Sequence, residues 1–250
     1  MKIVPNANTE AIINALAARV LARLNRNMPV LLLVSGGACE DAAIGAFSAI
    51  AGSFSNERGR LKMLFNLGLV DERFGKAGHQ DSNWRQLLDK GLDPARCNAM
   101  PMLVEQADEK VGLDEAVSHY NAFLSLAVSK HDEGKLYIAC LLGLGEDGHV
   151  AGILPESPAS QMGDDDARLV IGYRSALFPR VTITPAFFRS VDYAAVWVSS
   201  HTTIPSLDRL SESLPIDQHP AQLIKKVAEA EIFAGVELPE RILKRAFINA

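Results

Sequence analysis

Leu136-Tyr-Ile-Ala-Cys-Leu-Leu-Gly-Leu-Gly-Glu-Asp-Gly-His149 is an apolar run that ends in a glycine-rich turn. Leu136 to Leu142 reads as a strand buried on both faces, the pattern of the centre of a parallel sheet. Gly143, Gly145 and Gly148 follow, and the turn delivers Asp147 and His149 two residues apart. Glycine lets backbone approach a ligand closely and adopt positive φ. Histidine moves protons near pH 7. A carboxylate and an imidazole at the carboxyl end of a buried strand stand where α/β proteins bind ligands.

The same residues also spell Gly143-x-Gly145-x-x-Gly148, the dinucleotide fingerprint, with Asp164, Asp165 and Asp166 near the distance of a ribose-binding acid. That reading, a nicotinamide-dependent oxidoreductase, needs a helix opening at the third glycine. Pro155 and Pro158 interrupt the stretch in which that helix would run. A third reading is a plain glycine-rich connection with a surface histidine.

Outward from this segment, strands and helices alternate. Asn8 or Thr9 caps a predicted helix to about Asn27, with Ile12, Ile13, Leu16, Val20, Leu21 and Leu24 on one stripe. Val30 to Val34 is an apolar strand, followed by Ser35-Gly36-Gly37 and a helix from about Glu40 to Ile50. A strand within Leu61 to Val70, broken by Gly68, ends at a charged turn, Asp71-Glu72-Arg73. Ser82 starts a helix to about Lys90, and Leu113 to Lys130 forms another with Ala116, Tyr120 and Leu124 inward. Strands are expected over Arg168 to Tyr173, Arg180 to Thr184 and Tyr193 to Ser199, then helices over Ile204 to Leu214 and Pro220 to Ala230. The alternation predicts an α/β fold with a mostly parallel, doubly wound sheet and helices on both faces.

A chain of 250 residues suits a single α/β domain, 1–250. A net charge of −5 argues against nucleic-acid or membrane-surface binding. Cys39, Cys97 and Cys140 are scattered, with no C-x-x-C spacing, which fits a reducing compartment and suggests no zinc site. The N-terminus lacks the apolar core of a signal peptide, and no apolar run approaches the ~20 residues of a membrane span. The expectation is a cytoplasmic protein, a monomer or weak homodimer, with no nucleic-acid or membrane partner.

Three strand ends are candidates for one site: Ser35-Gly36-Gly37, Asp71-Glu72-Arg73 and the Gly143–His149 loop. Ser35-Gly36-Gly37 can aim backbone N–H groups and a helix dipole at a phosphate. Asp71-Glu72-Arg73 sets three charges where a strand ends; a solvated turn is the plainer alternative. Arg180, Thr182 and Thr184 share a strand face and can grip phosphate oxygens.

As a set, Ser35-Gly36-Gly37, Val70-Asp71-Glu72-Arg73 with Ser82-Asn83, Gly143 to His149 with Pro155, and Arg180-x-Thr182-x-Thr184 resemble the 6-phosphogluconolactonase family of the wider glucosamine-6-phosphate deaminase/isomerase superfamily. The likeness spans roughly residues 9 to 215. It implies hydrolysis of the sugar-phosphate lactone 6-phosphoglucono-1,5-lactone in the oxidative pentose phosphate pathway, with no metal or organic cofactor. His149 would be the general base on water, oriented by Asp147, with Arg73 and glycine-loop amides at the oxyanion and Asp71 in the catalytic set. Ser35, Gly36, Gly37, Gly145, Arg180 and Thr182 would bind the substrate and its phosphate.

The deaminase branch carries a Glu just before the loop proline, and its Asp-Glu pair is followed by Tyr. Here Leu154 and Arg73 stand there, favouring the lactonase. Other departures fall on the phosphate side: Ala38 and Glu40 replace a hydroxyl residue and a proline. Ser199-Ser200-His201-Thr202-Thr203-Ile204 lacks the lysine the family carries there; neutral His201 is a poor replacement. The alternatives are a non-catalytic or altered-specificity sugar-phosphate binder, or a glucosamine-6-phosphate deaminase/isomerase-like enzyme. The remaining histidines, 79, 119, 131 and 219, are expected mostly at the surface.

Overall fold

The computed structural model describes residues 1–103 and 112–244. In chain order its elements are β1 (Lys2–Val4), α1 (Thr9–Leu24), β2 (Val30–Val34), α2 (Glu40–Ser53), α3 (Arg58–Leu64), β3 (Phe65–Leu69), β4 (Asp71–Arg73), α4 (Asn83–Asp89) and β5 (Asn98–Ala99). There follow α5 (Leu113–Asp132), β6 (Tyr137–Gly143), β7 (Val170–Arg174), β8 (Pro179–Ile183), β9 (Tyr193–Val198), α6 (Ile204–Arg209), β10 (Glu229–Ala234) and α7 (Glu240–Leu243). A seven-stranded sheet has the order β1-β10-β9-β6-β2-β3-β5, and every pairing in it is parallel. A second sheet, β4-β8-β7, is antiparallel.

The apolar runs explain the centre. All five residues of β2 are buried, as are the first six of β6, because both faces of these strands are covered. Phe65 and Gly68 in β3 point to opposite faces. Phe65 stacks on Phe47 of α2, ring centroids 6.2 Å apart, and a Cβ at Gly68 would lie 2.4 Å from the Tyr120 hydroxyl of α5. Helices therefore cover both faces, as predicted. Tyr120 also accepts the Leu69 N–H at 2.9 Å and donates to the Leu69 carbonyl at 2.8 Å. Gly68 does not break β3 as expected; it leaves room for this phenol.

Other boundaries moved for identifiable reasons. Asn8 does cap α1, accepting the Ala11 N–H, but the helix ends at Leu24 and the chain turns through Asn27 at φ 57°. The predicted helix over Pro220 to Ala230 is a 3-10 turn, Pro220–Lys226, followed by a strand beside β9. Glu229 and Glu231 alternate with buried Ala230 and Ile232, a period of two that a helical reading overlooked. The α6 helix stops at Arg209 rather than Leu214, and the edge strand β1 lay unnoticed at the N-terminus.

Asp71-Glu72-Arg73 is not a solvated turn. Val70 donates to the Val34 carbonyl of the large sheet, and its own carbonyl accepts from Ile183 N–H of the small one. The chain thus passes directly from one sheet to the other, and β4 runs antiparallel to β8 with Asp71 opposite Thr182 and Arg73 opposite Arg180.

Candidate active site

In the large sheet the chain runs outward from β2 to β3 and β5, then returns to place β6 on the other side of β2. β2 and β6 are therefore the switch point of the sheet, where a crevice opens beyond the strands' carboxyl ends. A cavity of about 420 Å³ lies there. Ser35 and Gly36 line it after β2, Gly145 and His149 after β6, Ser199 and Ser200 after β9, and Asp71, Arg73 and Arg180 from the small sheet.

His149 is held by its own loop. Its Nδ1 lies 2.6 Å from Asp147 Oδ1, and its backbone N–H donates to the same oxygen at 3.0 Å. Burial alone would raise the Asp147 carboxyl, but the hydrogen bond and charge of His149 outweigh it and hold it below the usual value. An ionised carboxylate only accepts, so Nδ1 is the donor, and in the neutral ring the lone pair lies on Nε2. Gly145 permits this arrangement: a Cβ there would stand 2.1 Å from His149 Nδ1. The Gly145 N–H donates to the His149 carbonyl at 3.0 Å, so this amide closes the loop rather than facing a ligand as expected.

Behind the loop, Gly148 has φ +87°, and a Cβ on it would meet the His219 ring at 2.4 Å. His219 is not a surface residue. It is fully buried, with Ser206 Oγ 3.2 Å from Nε2 and Gln222 Nε2 3.3 Å from Nδ1, and burial lowers its pKa. No helix opens at Gly148; the chain turns through Ala151 at φ 52°, so the dinucleotide reading lacks its required element.

The small sheet supplies the charges. Asp71 is buried, and Arg180 Nη1 lies 3.4 Å from its Oδ2. Burial raises the Asp71 carboxyl against the opposing pull of Arg180, Arg73 and His149. Arg73 Nη1 donates to the Asp81 carbonyl at 2.9 Å. Thr182, expected at a phosphate, lies instead behind the cavity: fully buried, it accepts the Gly152 N–H at 3.0 Å. Thr184 likewise donates to the Arg168 carbonyl.

Glu72 has a structural task. Its carboxylate accepts from Arg73, Asn83 and Trp84 N–H and from Ser82 Oγ, at 2.7 to 3.0 Å. It thereby fixes the start of α4 and aims Asn83, a cavity residue quoted in the sequence motif without a role of its own. Glu72→Ala leaves several buried donors unmade. It is expected to cost about 3 kcal/mol, lowering Tm by roughly 6–12 °C in a calorimetric scan.

The Ser35-Gly36-Gly37 turn departs from expectation at one atom. The Gly37 N–H donates to Glu40 Oε1 at 2.9 Å, and Glu40 Oε2 pairs with Lys90 Nζ at 3.0 Å. Cys39, between them, is buried; burial and the negative charges of Asp71 and Glu40 push its thiol up to about 12, which removes it as a nucleophile. Past β9, His201 is exposed, while Ser199, Ser200 and Thr203 line the cavity. The Thr202 hydroxyl donates to Glu146, so the place of the expected lysine holds hydroxyls and an acid.

Among the described residues six buried side-chain polar atoms lack a partner, and four of them belong to this cavity: Ser35 Oγ, Arg73 Nε, Asn83 Oδ1 and Arg180 Nε. Buried polar groups are normally satisfied, so their clustering marks a place for a polar ligand. Among the described residues no group of three or more His, Cys, Asp or Glu side chains is arranged to hold a metal ion. No described helix is long and apolar enough to cross a membrane.

A parallel sheet with a polar pocket at its switch point, overhung by a small antiparallel sheet, places the chain among α/β proteins that bind ligands at the strands' carboxyl edge. More narrowly, the family profile described as glucosamine-6-phosphate isomerases/6-phosphogluconolactonase matches residues 5–233, and the chain belongs to that family. It is 25% identical over 166 residues to the probable 6-phosphogluconolactonase 1 of Arabidopsis thaliana, covering 62% of this chain and 61% of that protein. To the 6-phosphogluconolactonase of Synechocystis it is 28% identical over 166 residues, 64% of this chain and 65% of that one. The chain thus matches less than two thirds of either relative's length. In fold it is similar to the crystal structure of 6-phosphogluconolactonase from Thermotoga maritima, with a TM-score of 0.69 at 17% identity, covering 94% of this chain and 98% of that one.

Proposed function

We propose that the protein hydrolyses 6-phosphoglucono-1,5-lactone to 6-phosphogluconate. The observation that carries the reading is the juxtaposition of an oriented imidazole with two arginines whose buried Nε atoms have no partner, across one cavity. His149 Nε2 takes a proton from water as the water oxygen bonds to the lactone carbonyl carbon. The carbonyl oxygen becomes an oxyanion, which the Arg73 guanidinium stabilises. When the tetrahedral intermediate collapses, the bond to the ring oxygen breaks and His149 returns its proton to that oxygen. Arg180 and Ser35 hold the phosphate, and binding energy gained there positions the reacting carbon. Asp147 keeps Nδ1 protonated throughout. The names of the relatives support the same substrate, and Leu154 before the loop proline argues against deamination.

The test is direct. Lactone disappearance is followed spectroscopically with the spontaneous rate subtracted; catalysed hydrolysis is expected, and a rate equal to the spontaneous one rejects the reading. The occupied Gly37 amide and the hydroxyls past β9 favour a second reading, a sugar-phosphate binder without turnover. Calorimetric titration with 6-phosphogluconate separates the two, since binding without hydrolysis supports only the second.

A further inference from the structure

The anion-binding turn of this pocket already holds an anion of the protein's own. Gly37 follows the buried strand β2 and lines the cavity, as does Ser35, whose buried Oγ has no partner. That N–H is bonded to Glu40, three residues on, in the spacing of a carboxylate that reaches back to cap a helix start. Glu40 is itself buried, and its second oxygen is neutralised by Lys90 of the segment after α4. Lys90 is shared with exposed Asp41 at 2.8 Å. The lysine therefore serves two carboxylates and leaves local charge on the negative side.

We propose that Glu40 is a specificity-determining residue: a resident carboxylate that occupies the Gly37 amide, leaves the substrate's phosphate to Arg180 and Ser35, and keeps affinity for phosphate low. The inference rests on the reading of the cavity as a sugar-phosphate site. The rest of the wall agrees with it. Glu146 lines the cavity from the β6 loop, Asp71 lines it paired with Arg180, and past β9 the lining residues Ser199, Ser200 and Thr203 carry hydroxyls and no charge. A dianionic phosphate brought to the Gly37 turn would meet a fixed like charge in hydrogen-bonding reach of the same donor.

The test uses inorganic phosphate as probe, titrated calorimetrically into the full chain. Glu40→Ala vacates the amide, and Glu40→Gln keeps an acceptor while removing the charge. Both are expected to bind phosphate more tightly than the parent, Glu40→Ala by about tenfold, the worth of one charge-assisted hydrogen bond. Lys90→Ala leaves Glu40 unneutralised and is expected to weaken phosphate further. In turnover, Glu40→Ala is expected to raise the kcat/KM ratio of 6-phosphogluconolactone over unphosphorylated glucono-1,5-lactone. Phosphate affinity unchanged or weakened in both Glu40 variants, with melting curves showing them folded, overturns the proposal; so does undetectable phosphate binding in every form. The phosphate titration needs no turnover. Failure of the hydrolase reading therefore shows separately, as a parent protein that binds phosphate but leaves the lactone at its spontaneous rate.

Discussion

His149→Ala is expected to lower kcat for lactone hydrolysis by about 10²–10⁴-fold, the usual contribution of a positioned general base. KM should change little, because Nε2 acts on water rather than on the sugar. The fold should survive, since the ring is partly exposed and the loop is also closed by backbone bonds between Gly145 and residues 148 and 149. Asp147→Asn is expected to cost less, because an amide oxygen can still accept from Nδ1 but no longer charge-stabilises the imidazolium. The depressed Asp147 carboxyl sets the sign of one pH effect. The stability it contributes is present above its unfolded value of 3.8 and is lost as pH falls through its lower folded value. Because the pair is half-exposed, that contribution is small. Stopped assays of both variants check the rates, and melting curves of the parent and Asp147→Asn at pH values above and below 3.8 check the stability effect; an unchanged kcat in His149→Ala removes His149 from the mechanism.

The sequence made the Gly143–His149 loop legible for physical reasons. β6 and β2 lie at the centre of the sheet, so both faces of each had to be apolar and neither could be mistaken for a helix of ordinary length. Asp147 and His149 meet within three residues, where spacing alone determines contact. What was misread depends on partners far along the chain. The expected helix to Ala230 overlaps the first two residues of β10, whose alternation covers only Glu229 to Ile232 before the apolar Phe233-Ala234. Glu72 looked like surface charge, yet its four donors come largely from residues 82 to 84. His219 lies behind Gly148, and no local pattern announces a contact across 71 residues. The Glu40 to Gly37 bond sits between these extremes: its i, i+3 spacing is visible in the sequence, but Lys90, which makes a buried carboxylate tolerable there, is not.

Arg180→Ala is expected to damage binding and folding by separable routes. The guanidinium lines the same cavity as His149, with Nε buried and unpartnered, so its loss should raise KM for the lactone by about 10–100-fold, one charge-assisted contact to the phosphate. It also strands Asp71, buried at the cavity wall, and breaking one half of a buried pair costs about 3 kcal/mol or more. The pH dependence identifies that second route. The Asp71 carboxyl is already raised by burial, and removing Arg180 takes away the largest opposing pull, so the folded state prefers it protonated still more. A carboxyl whose folded value lies above its unfolded 3.8 penalises the fold increasingly as pH rises through that interval. The deficit in Tm relative to the parent should therefore be largest at pH 7 and shrink as pH is lowered towards 4. The double variant Arg180→Ala/Asp71→Asn should recover much of the lost stability while KM stays high, because the stranded charge is gone but the phosphate contact is not restored. Arg180→Lys should recover stability by pairing with Asp71 yet bind poorly, since a point charge cannot reproduce the planar fork. If KM and Tm instead recover together in the double variant, the KM effect of Arg180 comes through the fold, and the phosphate contact assigned to it is wrong.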